Sequence, residues 1–437
     1  RGMKKFSLMH PGVRHFASEW IFQRMVGQLG VVSPRFEFVR VKINGVDKGV
    51  YALEETMDKL LVENNERKDG PILSFDADYV WKLSTDRMIA PVLRDILHEA
   101  SITLYNDGRV MKDPGLSEQF ETAKEMLERF RNGEATSSEV FDCEKFARFL
   151  ALLDVFGNHH AIGLWNIKFY FNPITGKLEP IPYDQTYIRP LKLFFHEDVG
   201  VKPLIGEDVR KDGTWLNFVG LLLNDNEFKI AYMNALDKVS NEAFMAGFLE
   251  KYNDELVSNM NVLWQEYPSC TVEPELRVLL DNQRMIRQII RPMEALQVYV
   301  DHYDSNSQTI TLELGNYYGY LVSVDGVYLK KDTILVFDAN GFYVPTTERG
   351  KPLNHVKLEF KLPDGLVPDN KWLSSLRVKY RFAGGNHVMK SKVINWNRSS
   401  DEIDISSVPV RTIQALKLSH PFLLVDDFSK SITIPTG

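Results

Sequence analysis

Between residues 154 and 184 the chain reads DVFGNHHAIGLWNIKFYFNPITGKLEPIPYD, which places three groups suited to one kind of chemistry close together in sequence. Asn166 offers a side-chain carbonyl and Asp184 a carboxylate, both hard oxygen ligands of the type Mg²⁺ takes. Lys168, two residues along, could neutralise a phosphate held by that ion. Asn166 and Asp184 are therefore the candidate metal ligands, and Lys168 and Asp184 the candidate nucleotide contacts.

Whether these groups meet depends on the strands that carry them. Asn166 to Phe171 alternates polar and apolar residues, the period of a half-buried strand. Asn172 to Gly176 is turn chemistry, and Lys177 to Ile181 runs back as a second strand. Pairing Phe171 with Lys177 sets Asn166 opposite Pro182 and puts Asn166, Lys168 and Asp184 on one face. A bulge or a four-residue loop would flip that parity.

Upstream, residues 142–158 predict a helix with Asp142 at its N-cap and Phe146, Phe149, Leu150, Leu153 and Phe156 on one face. It delivers His159 and His160 at its C-terminal end, and Asp154 reads as a structural hydrogen-bonding group. The two histidines have no partners at zinc-site spacing.

Earlier still, Val13 to Leu29 predicts a helix stopped by Gly30, followed by a hairpin from Val39 to Glu55 around Asn44-Gly45. Glu54 and Glu55 close that hairpin and could face a nucleotide-binding lysine. Residues 72–81 read as a strand leading to Lys82, a second candidate phosphate lysine, with helices over 86–101 and 116–131. Residues 218–236, 241–267 and 272–302 read as a helical lobe. At 303–307 the composition turns polar, and from Thr309 onward short alternating runs separated by Gly, Asn, Asp and Pro predict an all-β, sandwich-like domain over 305–437. Tyr317, Tyr318 and Tyr320 could present aromatic faces to a glycan, although in strands such residues more often pack across the sheet.

Composition excludes several classes. The net charge of −7, with no basic cluster longer than a triplet, argues against a nucleic-acid partner. Cys143 and Cys270 alone form neither a disulfide framework nor a redox pair. The longest apolar run, Phe218 to Leu223, is far short of a membrane span, which needs about 20 residues.

The pattern Gly157-Asn158, Asn166, Phe169-Tyr170-Phe171-Asn172-Pro173, Thr175-Gly176-Lys177-Leu178-Glu179, Ile181-Pro182 and Asp184 resembles the core of the CotH kinase family, an atypical protein-kinase-like group. The Val39–Glu55 hairpin, with its Asn-Gly turn and Gly-Val-Tyr strand ending in acidic residues, is similar to that family's other hallmark. The resemblance covers residues 1 to about 300 and implies an α+β, atypical kinase-like core (residues 1–304) with a helical lobe and a shortened N-terminal lobe, ahead of the sandwich-like domain. It implies that Asn166 and Asp184 hold Mg²⁺ or Mn²⁺ with ATP. The family usually shows Asp-x-Asp where this chain has Asp184-Gln185-Thr186, and its catalytic aspartate falls on His160. A neutral imidazole could accept the same proton but brings no negative charge to the metal. The resulting expectation is phosphoryl transfer to protein Ser or Thr, with His160 and Lys168 catalytic. The alternative is a catalytically degenerate structural or binding protein of the cell envelope or spore coat, with its β domain as interaction or glycan-binding module, and the resemblance implies a cell-envelope or extracellular location.

Overall fold

The computed structural model describes residues 2–76, 96–191, 216–329, 335–347, 353–366, 370–394, 402–403 and 432–433. Lys82, the second candidate phosphate lysine, lies outside the described residues, as do 77–81 and 86–95 of the elements expected around it.

The fold is α+β, with two compact units. The first is formed by residues 1–193 and 205–287. It opens with a three-stranded antiparallel sheet in which Val46–Glu55 lies between Phe6–Met9 and Phe36–Ile43. The helix Ala17–Gln28 packs beside it and ends where expected, with Gly30 in the left-handed region at φ 75°. A second, four-stranded sheet has the order Ser101–Leu104, Ile72–Asp76, Lys168–Asn172, Lys177–Ile181. Ser101–Leu104 thus starts a strand where the expected helix was to end.

The helix Cys143–Phe156 is the core of this unit. Asp142 caps it by accepting from the Lys145 N–H, and the Asp142 N–H donates to the Leu178 carbonyl, which fixes the helix start to the hairpin. Eleven of its residues are buried, with Glu144, Lys145 and Arg148 left on the outer side of its first turns. The helices Asn226–Val239, Glu242–Leu263 and Glu273–Ile289 complete a helical layer.

The second unit is formed by residues 194–204 and 288–437, and its described residues hold two larger antiparallel sheets beside the short pairing of Glu402–Ile403 with Ile432–Thr433. One orders Leu335–Val344, Val322–Leu329, Leu376–Phe382 and Val388–Lys392; the other orders His355–Lys361, Thr309–Asn316 and Leu296–Asp304. The sheets meet through Phe337 and Phe360, stacked at 5.1 Å, and through the Tyr380 hydroxyl, which accepts from the Ala295 and Leu296 N–H groups. The expected helix over 272–302 is corrected here: it stops at Ile289, and Leu296–Asp304 is a strand. Pro292 ends the helical pattern, and Val298 and Val300 alternate across a pleated strand. Among the described residues no helix is long and apolar enough to cross a membrane.

Candidate functional site

The hairpin that carries the candidate ligands exists, but its register differs from the expected one. Phe171 pairs with Leu178 and Asn172 with Lys177, so the loop is the four residues Pro173–Gly176. Lys168 then faces Ile181, and strand parity alone would turn Asp184 away from Lys168. Asn166 falls short of the strand, which begins at Lys168.

Asp184 reaches the site by another route. The strand ends at Ile181, and Asp184 adopts φ 62° with Thr186 at φ 66°. Left-handed backbone is tolerable for Asp and unusual for a β-branched Thr, so something must hold it. The holder is Glu19, fully buried on the first helix. Its carboxylate accepts from the N–H of Gln185 at 2.9 Å and of Thr186 at 3.3 Å, and from Gln23 Nε2 at 2.8 Å.

The loop bearing His160 is locked to the same segment. Asn158 donates its amide to the carbonyls of Gln185 and Tyr187, both at 2.9 Å, and its Oδ1 accepts from the His160 N–H at 3.2 Å. In return Gln185 donates to the Asn158 carbonyl and accepts from the Ala161 N–H. Helix Cys143–Phe156 ends on Gly157 at φ 59°, where a Cβ would overlap the Arg189 carbonyl oxygen, so glycine is demanded by both backbone and space. His160 then begins a short 3₁₀ turn, three residues beyond the Gly157 cap.

The outcome is a compact polar cluster. His160 Nε2 stands 3.6 Å from Asp184 Oδ2, and Asn166 Nδ2 donates to the His160 carbonyl at 2.9 Å. Lys168 is buried, donates to the Trp165 carbonyl at 2.6 Å and lies 5.8 Å from the Tyr183 ring centroid, so it meets the cluster through Tyr183. His159 points elsewhere: its Nε2 lies 3.0 Å from Asp154 Oδ1, and Asp154 also accepts from the Tyr232 hydroxyl, all inside the core. Asp154 is thus the structural group the sequence suggested, bonded to a loop histidine and a distant helix.

Two charged residues to which the sequence reading gave no role in the cation site complete the cluster. Arg14 ion-pairs with Asp184 and lies 3.7 Å from Glu54. Glu54 is almost wholly buried, and burial first, then the neighbouring Glu19, pushes its carboxyl up to about 7. Burial likewise raises Glu19, and raises the Tyr183 phenol beside Glu54. The one signal available in sequence was Glu19 itself, a carboxylate directly before the apolar run Trp20-Ile21-Phe22. Glu55 turns to Arg35 and Asn64 instead.

The donor set fits a small hard cation in part. Asp184 supplies a carboxylate, and the amide nitrogen of Asn166 is committed to a carbonyl, which orients its oxygen as the ligating atom. Among the described residues no three His, Cys, Asp or Glu side chains gather to hold a metal unaided. Mg²⁺ usually takes one or two protein carboxylates and fills its shell with substrate phosphates and water, so the pair is adequate only together with a nucleotide.

Comparison with known proteins covers this same region. A family model described as CotH kinase protein matches residues 14–309, which include Arg14, Glu54, His160, Asn166 and Asp184. Inner spore coat protein H of Bacillus subtilis (strain 168) is 27% identical over 231 residues, 51% of this chain and 58% of that protein, so the alignment spans little more than half of the relative's length. With the family match extending over more than half of its length, the chain belongs to the CotH kinase family.

Proposed function

We propose that this protein is an Mg²⁺- or Mn²⁺- and ATP-dependent phosphotransferase with a kinase-like core, acting on Ser or Thr hydroxyls of a protein in a spore coat or cell envelope. The observation that carries this reading is the placement of His160 Nε2 3.6 Å from Asp184, with Asn166 bonded to the carbonyl of that same histidine. A proton acceptor thereby sits beside two hard oxygen ligands.

In this reading Asp184 and Asn166 hold the cation, His160 takes the proton of the acceptor hydroxyl, and Lys168 balances phosphate charge from beneath the Tyr183 ring. Asp184 and Asn166 would hold the ion, which would supply positive charge against that developing on the phosphate. The Asn158–Gln185 lock fixes the distance between proton acceptor and cation ligand, the type of positioning on which such catalysis depends. The coat or envelope setting rests on the name of the related inner spore coat protein.

Thermal unfolding with ATP tests the binding step. At about a hundredfold excess over Kd, ligand should stabilise the protein by about 2.7 kcal/mol, only when Mg²⁺ or Mn²⁺ is present. Asp184→Ala should abolish that gain. A wild-type protein indifferent to ATP and metal together would reject the proposal.

A second reading is favoured by one contact, the Arg14 ion pair on Asp184, which sets a permanent cation where a metal would bind. The protein would then be a catalytically inert coat or envelope component acting by binding, since membership of a fold does not establish activity. Its β domain would supply the interface. Tyr320 is buried against Phe382, Tyr318 packs on the same ring and Tyr317 on Tyr318, the packing that such residues more often show in strands.

A further inference from the structure

Arg14 closes the short turn Pro11–Arg14, is 8% exposed, and spreads its guanidinium among three groups. Nη1 meets Asp184 Oδ1, Nη2 lies 3.7 Å from Glu54 Oε2, and the guanidinium carbon is 5.0 Å from the Tyr183 ring centroid. Glu54 is 2% exposed, and among the described residues its other oxygen, Oε1, has no hydrogen-bond partner, nor does Arg14 Nε. When both are ionised, two buried carboxylates that share one guanidinium repel one another, and a cation between them relieves that repulsion. The guanidinium is that cation, and it engages one oxygen of Asp184 while Oδ2 is the oxygen near His160.

We propose that Arg14 is the resident cation of the Glu54–Asp184 pair, holding Asp184 until a divalent ion arrives together with phosphate groups, and that Arg14 then passes to the phosphate oxygens. The second half of this proposal rests on the phosphotransferase reading; the first does not. An arginine fork matches a phosphate as well as it matches a carboxylate, so the exchange leaves no charge stranded. The consequence is coupling. A metal alone must displace Arg14 from Asp184 and leave it with Glu54 only, whereas a metal with a triphosphate offers Arg14 a new partner, so each ligand should strengthen the other by the same factor.

The test is Mn²⁺ binding to the full chain, followed by electron paramagnetic resonance of the free ion, with and without a non-hydrolysable ATP analogue. Wild type should bind Mn²⁺ alone weakly and gain about tenfold or more with the analogue, within the usual range of coupling between sites. Arg14→Met should bind Mn²⁺ alone about tenfold more tightly than wild type and lose the gain from the analogue, while Arg14→Lys, which keeps a positive charge, should follow wild type in Mn²⁺ alone. Unchanged or weaker Mn²⁺ binding by a folded Arg14→Met overturns the proposal. If wild type never binds the analogue while Arg14→Met still gains Mn²⁺ affinity, the resident cation stands and the phosphotransferase reading falls. Should Arg14→Met lose its cooperative thermal transition, Arg14→Met combined with Glu54→Gln removes the repulsion as well. That double variant should bind Mn²⁺ more tightly than Glu54→Gln alone, and equal affinity would overturn the proposal.

Discussion

Glu54 is easier to keep protonated than ionised, because its carboxyl is buried and shares its surroundings with Glu19 and Asp184, with Arg14 as the one opposing charge and Tyr183 as a neutral partner. Its folded value of about 7 lies above the ordinary 4.5, so the folded state holds this proton more tightly than the unfolded chain. Stability from this group is therefore greatest below pH 4.5 and falls as pH rises toward 7, where it levels off. At about 1.4 kcal/mol per pH unit the loss is on the order of 3 kcal/mol. Denaturant titrations at several pH values should show that slope in wild type and a flatter one in Glu54→Gln, and parallel curves would contradict the assignment. His160 gives the second residue-scale expectation. If it is the proton acceptor, His160→Ala should lower phosphoryl transfer by roughly 10²- to 10⁴-fold, the usual worth of a positioned base. If the protein is inert, wild type transfers nothing, and His160→Asp, which replaces the imidazole beside Asp184 by a carboxylate, is the variant in which slow turnover would emerge.

At the scale of elements, the site depends on how two loops are fastened rather than on which face of a strand a residue occupies. Gly157→Ala would force a non-glycine residue to φ 59° and drive its Cβ into the Arg189 carbonyl. A loss of more than about 1 kcal/mol is expected, read as a lower denaturant midpoint. Asn158→Ala removes two buried donors and one acceptor, leaving the Gln185 and Tyr187 carbonyls without those donors, at about 1 to 3 kcal/mol per unsatisfied group. The sequence made the helix legible down to its Asp142 cap, because capping and apolar spacing are local signals. It also placed the hairpin, yet missed its register, since whether Asn172 belongs to turn or strand is decided by its pairing with Lys177 and by its bond to the buried Glu179. The meeting of Asp184 with His160 came from a left-handed residue and from Glu19, more than 160 residues away in the chain, and no periodicity encodes that. Arg14 was silent for the same reason: its partners are near only after folding.

For the whole molecule, the division into units makes a sharper claim than the change of composition near residue 305. The strand Leu296–Asp304 pairs along its length with Thr309–Asn316, from Leu296 opposite Asn316 to Asp304 opposite Thr309. It also brings the Ala295 and Leu296 N–H groups to Tyr380, a buried tyrosine in the other sheet whose hydroxyl further bonds Ser391. A cut at residue 305 therefore removes one strand of a three-stranded sheet, exposes Leu312 and Leu314 along a new edge, and takes two donors from a buried hydroxyl. Losing that much apolar cover is more than the marginal stability of a small domain withstands. A fragment of residues 288–437 should accordingly show β-type circular dichroism and one cooperative thermal transition, while a fragment of 305–437 should melt without cooperativity or aggregate through its open edge. Equal cooperativity in the two fragments would mean that the strand Leu296–Asp304 is dispensable to this unit, and that the chain's second domain begins where its composition changes rather than where its sheet does.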